Sequence, residues 1–152
     1  MPTLAAPDPG FAQRVSESFA RLELMNTIGA RLVKVAAGAV EIDMPVRDDL
    51  TQQHGYVAAA VVTALVDTAC GYAAMSLMPA GSGVVTVEYK VNFTAPARGE
   101  RLLARGHVLK AGRRLTVCAG DVYALASGAE HPVATMLATM VALEGAAEVA
   151  SR

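Results

Sequence analysis

One carboxylate lies within an otherwise uncharged stretch of this 152-residue chain. From Gly55 to Pro79 the sequence reads GYVAAAVVTALVDTACGYAAMSLMP, in which Asp67 is the only charged residue. The other residues are apolar or small on every side of a helical wheel, which is typical of a helix that is buried all round. Aspartate is rarely buried without a partner, so its carboxylate either accepts hydrogen bonds from elsewhere or has a raised pKa. Asp67 is therefore a candidate for chemistry.

A second group of candidate residues precedes this apolar stretch. Gln52, Gln53 and His54 are polar, and the predicted helix start near residues 57–60 offers backbone N–H groups. Those groups and the helix dipole suit a developing oxyanion. Asp67 lies about eight residues further on, roughly 12 Å along the helix axis. One substrate carbonyl cannot touch both places, so two copies of the chain would have to share a site.

The remaining elements must hold these residues in position. Apolar residues at helical spacing predict a helix from Phe11 to Met25, and the long apolar helix covers about residues 56–78. Strands are predicted, in chain order, at 31–35, 39–46, 85–93, 102–110, 115–125 and 133–143. In the third strand, alternation places Val85, Val87, Tyr89, Val91 and Phe93 on one face, and Thr86 with Glu88, Lys90 and Asn92 on the other.

This order of elements predicts an α+β fold, because strands and helices do not alternate as they do in a doubly wound sheet. A curved antiparallel sheet wrapped around the long apolar helix accounts for all six strands. We expect residues 1–10 to be a loose lead-in, residues 11–145 to form a single domain and residues 146–152 to be a tail. A membrane span over the apolar helix is disfavoured, because a carboxylate at mid-bilayer is costly.

Charge and cysteine usage narrow the function classes. The net charge of −1 provides no general basic field for nucleic acid. Four basic residues form a local cluster that suits one phosphorylated ligand: Arg98, Lys110, Arg113 and Arg114. Cys70 and Cys118 lie in apolar runs without metal-ligand spacing, so we expect reduced core thiols, no metal and a cytoplasmic setting.

Three segments carry a resemblance to a known family. These are VVTALVDTACGYAA, TVEYKVNFTAPARGE and GHVLKAGRRLTVCAGDVYA. Together they resemble hotdog-fold thioesterases of the PaaI-like (phenylacetate-degradation) type, over about residues 47–143. The resemblance implies a hotdog fold, a homodimer or a dimer of such dimers, and hydrolysis of acyl-CoA thioesters at subunit interfaces. Coenzyme A is then part of the substrate, and no separate cofactor is expected.

The resemblance also assigns roles to residues. Asp67 matches the family's helix carboxylate, a general base or nucleophile, and Gln52 falls where relatives place an Asn or Gln near the thioester carbonyl. Thr86 matches a Ser or Thr that orients the attacking water. The family commonly has His-Gly-Gly or His-Ala-Gly nine residues before the carboxylate, but this chain has Ala58-Ala59-Ala60. The backbone N–H of Ala60 remains available for an oxyanion.

These assignments predict an acyl-CoA thioesterase whose site is shared between two subunits. His54 is a candidate substitute for the missing family histidine, and Gln53 a candidate substrate contact. Tyr72 and Met75 are expected to pack in the core or line the acyl pocket, and the four basic residues to hold the phosphates of coenzyme A. Because the histidine is missing, a non-catalytic acyl-CoA binding protein on the same fold remains an alternative. A hydratase-type relative ranks last.

Overall fold

A six-stranded antiparallel sheet wrapped around a single long helix forms the body of the protein. The computed structural model describes residues 4–146 and residue 148. Its elements in chain order are α1 Phe11–Ala20, α2 Glu23–Ile28, β1 Arg31–Ala36, β2 Ala39–Pro45, a 3-10 turn at Asp48–Leu50, α3 Ala59–Met75, β3 Ser82–Phe93, β4 Arg101–Ala111, β5 Leu115–Ala126 and β6 Ala129–Glu144. The strand order is β1-β2-β4-β5-β6-β3. The predicted α+β architecture is confirmed.

Two glycines let α3 lie directly on the middle of the sheet. Gly106 of β4 and Gly120 of β5 are paired in register, and both are buried beneath the helix. A methyl group on Gly106 would lie 2.4 Å from the carbonyl carbon of Ala69 and 2.5 Å from the backbone nitrogen of Cys70. Because only glycine permits this approach, the two glycines of the sheet allow the backbones of the sheet and the helix to lie close together.

The expected helix from Phe11 to Met25 is two helices, α1 and α2. Arg21 ends α1, and Leu22 is extended, with φ −80° and ψ 94°. Val15, Phe19 and Met25 are nevertheless all buried in the core. The apolar spacing thus identified the buried residues correctly, but it did not reveal the change of direction between the two helices.

Helix α3 is shorter than the predicted 56–78 because both ends have other hydrogen-bond partners. Before the helix, the backbone N–H of Val57 donates to the carbonyl of Ala97 at 2.9 Å, which holds this residue extended. At the other end, the Arg14 guanidinium donates to the carbonyl of Met75, the last residue of the helix, and to that of Met78 beyond it. No helix in the part of the chain that the structure describes is long and apolar enough to span a membrane.

A β-bulge in β3 changes which side chains face the helix. The register with β6 shifts between Thr86 and Glu88, so that Thr86 is opposite Met140 while Glu88 is opposite Thr139. Met140 is buried, and Thr139 lies on the opposite, outer face. The bulge therefore places Thr86 on the inner face, and the prediction that it shares a face with Glu88 and Lys90 is wrong. Strict alternation fails here because one extra residue reverses the phase.

Candidate active site

The side chain of Asp67 is held at the edge of the core by one hydrogen bond from the sheet. The hydroxyl of Thr86 donates to Oδ1 of Asp67 at 2.7 Å, and its oxygen lies 3.4 Å from the sulfur of Met140. Among the described residues, the second carboxylate oxygen has no hydrogen-bond donor. Burial raises the pKa of Asp67 above its usual range, while the hydrogen bond from Thr86 acts in the opposite direction.

Asp67 opens into a mainly apolar cavity of about 410 Å³, which we call the Asp67 cavity. It lies between α3, the first part of β3, the N-terminal helices and the end of β6. Its lining residues are Ser18, Leu22, Leu24, Asp67, Thr68, Gly71, Tyr72, Met75, Gly83, Val84, Val85, Thr86, Leu143, Ala146 and Glu148. Three sequence candidates, Thr86, Tyr72 and Met75, thus lie beside Asp67.

A cluster of polar side chains lies along one side of this cavity. The hydroxyls of Ser18 and Tyr72 are 3.2 Å apart, and Ser18 donates to Glu148 at 2.6 Å. Arg21 forms an ion pair with the same carboxylate. Burial raises the pKa of Tyr72. Sequence reasoning missed Ser18 and Glu148, because 54 and 76 residues respectively separate them from Tyr72 and no local motif links them.

The residues before α3 line a different cavity of about 450 Å³, which we call the Gln52 cavity. It is bounded by Gln52, Tyr56, Val57, Ala59, Val62 and the segment 93–97. Its lining shares no residue with that of the Asp67 cavity. Within one chain, therefore, the two groups of predicted site residues face separate spaces.

Gln52, which lines this cavity, and Ala60, which follows the lining residue Ala59, each have a hydrogen-bond donor available. The side-chain oxygen of Gln52 accepts a hydrogen bond from the backbone N–H of His54, so its NH₂ group is the end available to a ligand. The backbone N–H of Ala60 has no acceptor among the described residues. Gln53 and His54 lie exposed in the preceding turn and line neither cavity.

The four predicted basic residues do not form one cluster within a chain. Arg98 precedes β4, whereas Lys110, Arg113 and Arg114 lie at or beyond its far end, roughly 30 Å away along the strand. Arg113 and Arg114 line a cavity of about 440 Å³ together with Leu143, which also lines the Asp67 cavity. None of the four forms an ion pair within the described residues.

Both cysteines are free thiols in the core, as expected. Cys70 and Cys118 are fully buried, and the thiol of Cys118 lies 3.6 Å from the carbonyl oxygen of Cys70. Burial raises the pKa of Cys118 to about 12, and it raises that of Cys70 as well. Neither thiol lines the Asp67 cavity or the Gln52 cavity, so these cysteines belong to the core.

Comparison with known proteins identifies the family. Residues 54–128 match the model of the Thioesterase superfamily. A thioesterase family protein from Silicibacter pomeroyi is 51% identical in sequence, with a TM-score of 0.88, and the match covers 90% of this chain and 100% of that one. The protein belongs to the thioesterase superfamily.

More distant similarities of this thioesterase-family member include one solved structure and one sequence relative. The E. coli PaaI protein from the phenylacetic acid degradation operon superposes with a TM-score of 0.78 at 18% identity, covering 89% of this chain and 95% of that chain. A Halobacterium salinarum protein named as a candidate esterase is 28% identical over 99 residues, or 62% of this chain. The alignment spans 65% of that curated relative's length. The expected hotdog fold is confirmed.

Proposed function

We propose that this protein is an acyl-CoA thioesterase that hydrolyses its substrate to a free acid and coenzyme A. The observation that carries the proposal is the state of Asp67, which lines a mainly apolar cavity with one oxygen held by Thr86 and the other without a donor among the described residues. A fixed carboxylate with one unpartnered oxygen can accept a proton from water. Its raised pKa makes it a stronger base than an ordinary aspartate.

The thioester carbonyl would be polarised at the start of α3. The N–H of Ala60 and the NH₂ group of Gln52 are both donors without a partner among the described residues. Two such donors stabilise the negative charge that develops on the carbonyl oxygen when a nucleophile attacks. Asp67 then either takes a proton from the attacking water, whose addition to the carbonyl expels the coenzyme A thiolate, or attacks directly. Direct attack forms a mixed anhydride as the C–S bond breaks and the thiolate leaves, and water then hydrolyses the anhydride to the free acid.

The geometry of β3 supports a site made by two copies of the chain. β3 is an edge strand, and several of its apolar side chains are exposed, including Val87, Tyr89 and Phe93. Thr86 lies in its first half beside Asp67, whereas Phe93 lies at its end and lines the Gln52 cavity. Antiparallel pairing of two β3 strands about a two-fold axis would therefore bring the Asp67 cavity of one copy towards the Gln52 cavity of the other.

The remaining assignments follow from this arrangement. The predicted basic residues Arg98, Lys110, Arg113 and Arg114, which form no ion pair within the described residues, supply phosphate contacts for coenzyme A from both ends of β4. Two copies of the chain would bring different ends of β4 to one ligand. Gln53 and His54, exposed beside the Gln52 cavity, contact the substrate from the turn. We further propose a homodimer that pairs into a dimer of dimers, acts in the cytoplasm and needs no additional cofactor.

A panel of acyl-CoA substrates with a thiol reagent tests the proposed activity. Release of free coenzyme A from at least one substrate is the expected result. Stable binding of intact acyl-CoA without thiol release would contradict hydrolysis and favour a binding protein, the reading that the absence of a histidine at Ala58 motivates.

A subunit-mixing experiment tests whether two chains share each site. Asp67→Asn removes the proposed base, and Ala60→Pro removes one N–H within the first helical turn, where proline is tolerated. Each variant alone should be inactive. Coexpressed in equal amounts, they should recover about a quarter of the wild-type activity, because half of the dimers then carry one intact site. No recovery in dimers shown to contain both variants would mean that each site lies within one chain.

A further inference from the structure

Gly71 occupies an unusual position in α3. It is the only glycine in this 17-residue helix, and it follows Asp67 by four residues, so the two lie on the same face. Glycine in a helix interior costs about 1 kcal/mol of stability relative to alanine. The neighbouring residues Ala69, Ala73 and Ala74 show that alanine is acceptable elsewhere on the helix. A reason is therefore needed for glycine at this position.

Packing does not supply that reason. Apart from its two chain neighbours and the nearby helix backbone, a methyl group on Gly71 would meet no atom within 4 Å, and Gly71 is not among the glycines with positive φ. Gly106 and Gly120 differ, because a methyl group on either one would come within 3 Å of α3. Gly71 faces the Asp67 cavity instead. The space that its missing side chain leaves is open to a ligand.

We propose that Gly71 determines which acyl groups the site accepts, by leaving room for bulk close to the thioester. This inference rests on the proposed thioesterase function. Side chains four residues apart on a helix are about 5–6 Å from each other at Cβ. A carbonyl placed for attack at Asp67 would thus have its next two or three carbons beside Gly71. The acyl class that this space fits is branched or ring-bearing at those carbons, rather than a straight chain.

The test compares wild type with Gly71→Ala on three substrates of different width. Butanoyl-CoA is narrow, whereas 3-methylbutanoyl-CoA and phenylacetyl-CoA are wide near the carbonyl. The variant should keep kcat/KM for butanoyl-CoA within about twofold and lose about tenfold or more for the two wide substrates, a common effect of one methyl group in a pocket. Its Tm should rise, because alanine favours the helix.

Ser16→Ala is the matched control. Ser16 is exposed on α1 and does not line the Asp67 cavity, and among the described residues its hydroxyl donates only to the carbonyl of Ala12. The control should change Tm in the same direction without altering the ratio between narrow and wide substrates. If Gly71→Ala left the ratio of kcat/KM between narrow and wide substrates unchanged, with or without an equal loss on all three, the inference would be overturned. A fall in Tm would also overturn it.

Failure of the proposed hydrolysis can be distinguished from failure of the inference about Gly71. Wild-type protein that releases no thiol from any substrate would refute hydrolysis. The width comparison then uses binding of the corresponding non-hydrolysable thioether analogues, measured by calorimetry. Selective loss of the wide analogues in Gly71→Ala supports the inference for a binding protein, and unchanged or absent binding overturns it.

Discussion

Two faces of helix α3 contrast sharply in how closely they are packed. Towards β4 and β5, Ala69 and Cys70 meet the glycine pair Gly106 and Gly120 at distances that exclude even a methyl group. Towards β3 and the N-terminal helices, the helix instead borders a cavity of about 410 Å³. One apolar sequence therefore serves as a close-packed core element on one side and as the wall of a binding space on the other.

The contrast shows how a small domain can hold a carboxylate at the edge of its core. The close-packed face fixes the position of α3 on the sheet, because the absence of side chains at Gly106 and Gly120 lets the helix lie directly against the two strands. The opposite face of α3 can then border a cavity without any change in the position of the helix. Asp67 lies on this hollow side, where its carboxylate has a hydroxyl donor and access to a ligand.

The largest effect is expected on kcat, from a substitution of Asp67 on the face of α3 that borders the cavity. Asp67→Asn should lower kcat by about a thousandfold, equivalent to about 4 kcal/mol of barrier, because the general base is lost. Asp48→Asn, the same change at an exposed residue outside both cavities, is the control and should leave kcat unchanged. Steady-state turnover of the best substrate measures both. Turnover of Asp67→Asn within threefold of wild type would remove Asp67 from its proposed role.

Although Asp67→Asn should lower activity, it should raise stability relative to wild type as the pH increases. Because burial raises the pKa of Asp67, the fold favours its protonated form, and this contribution to stability is lost as the pH rises through the folded-state pKa. The variant should therefore gain free energy of unfolding relative to wild type towards neutral pH. Urea unfolding at acidic and neutral pH measures the difference, and a constant difference would contradict the desolvation of Asp67.

The close-packed face should be intolerant of a single methyl group. Gly106→Ala places that group against helix backbone atoms, which cannot move aside, so we expect a loss of about 3 kcal/mol or more in the free energy of unfolding. Gly120→Ala meets side-chain atoms of Val66 and Cys70, which can rotate, and should lose only about 1–2 kcal/mol. Urea unfolding of both variants checks the order, and equal losses would mean that the two contacts are equally rigid.

The smallest effect concerns the contact between the sheet and Asp67. Thr86→Val keeps the side-chain shape but removes the hydrogen bond that opposes the rise in the pKa of Asp67. The acidic limb of the kcat/KM profile should move to higher pH, and kcat should fall by about tenfold. Thr139→Val, on the outer face of β6, is the matched control and should leave the profile in place. An unmoved limb in Thr86→Val would separate Thr86 from the titration.

Hydropathy patterns predicted much of the fold but little of the site. Period-two alternation located all six strands to within a few residues, and a continuous apolar stretch identified α3. The division between α1 and α2 was missed, because spacing of buried residues continues across it. Of the predicted site residues, Tyr72, Met75 and Thr86 lie beside Asp67 in one cavity, while Gln52 lines another. The roles of all of these residues stay predictions.

The amino-acid sequence alone implies that one carboxylate lies in an apolar environment, because no other charge lies near it on its helix. It also determined the strands, since alternation depends only on neighbouring residues. The side chains that contact this carboxylate depend instead on how distant segments pack together. The bulge beside Val87 turned Thr86 towards Asp67, and the glycines of β4 and β5 set the height of the helix above the sheet. These outcomes depend on register and close approach between distant segments, which local patterns do not encode.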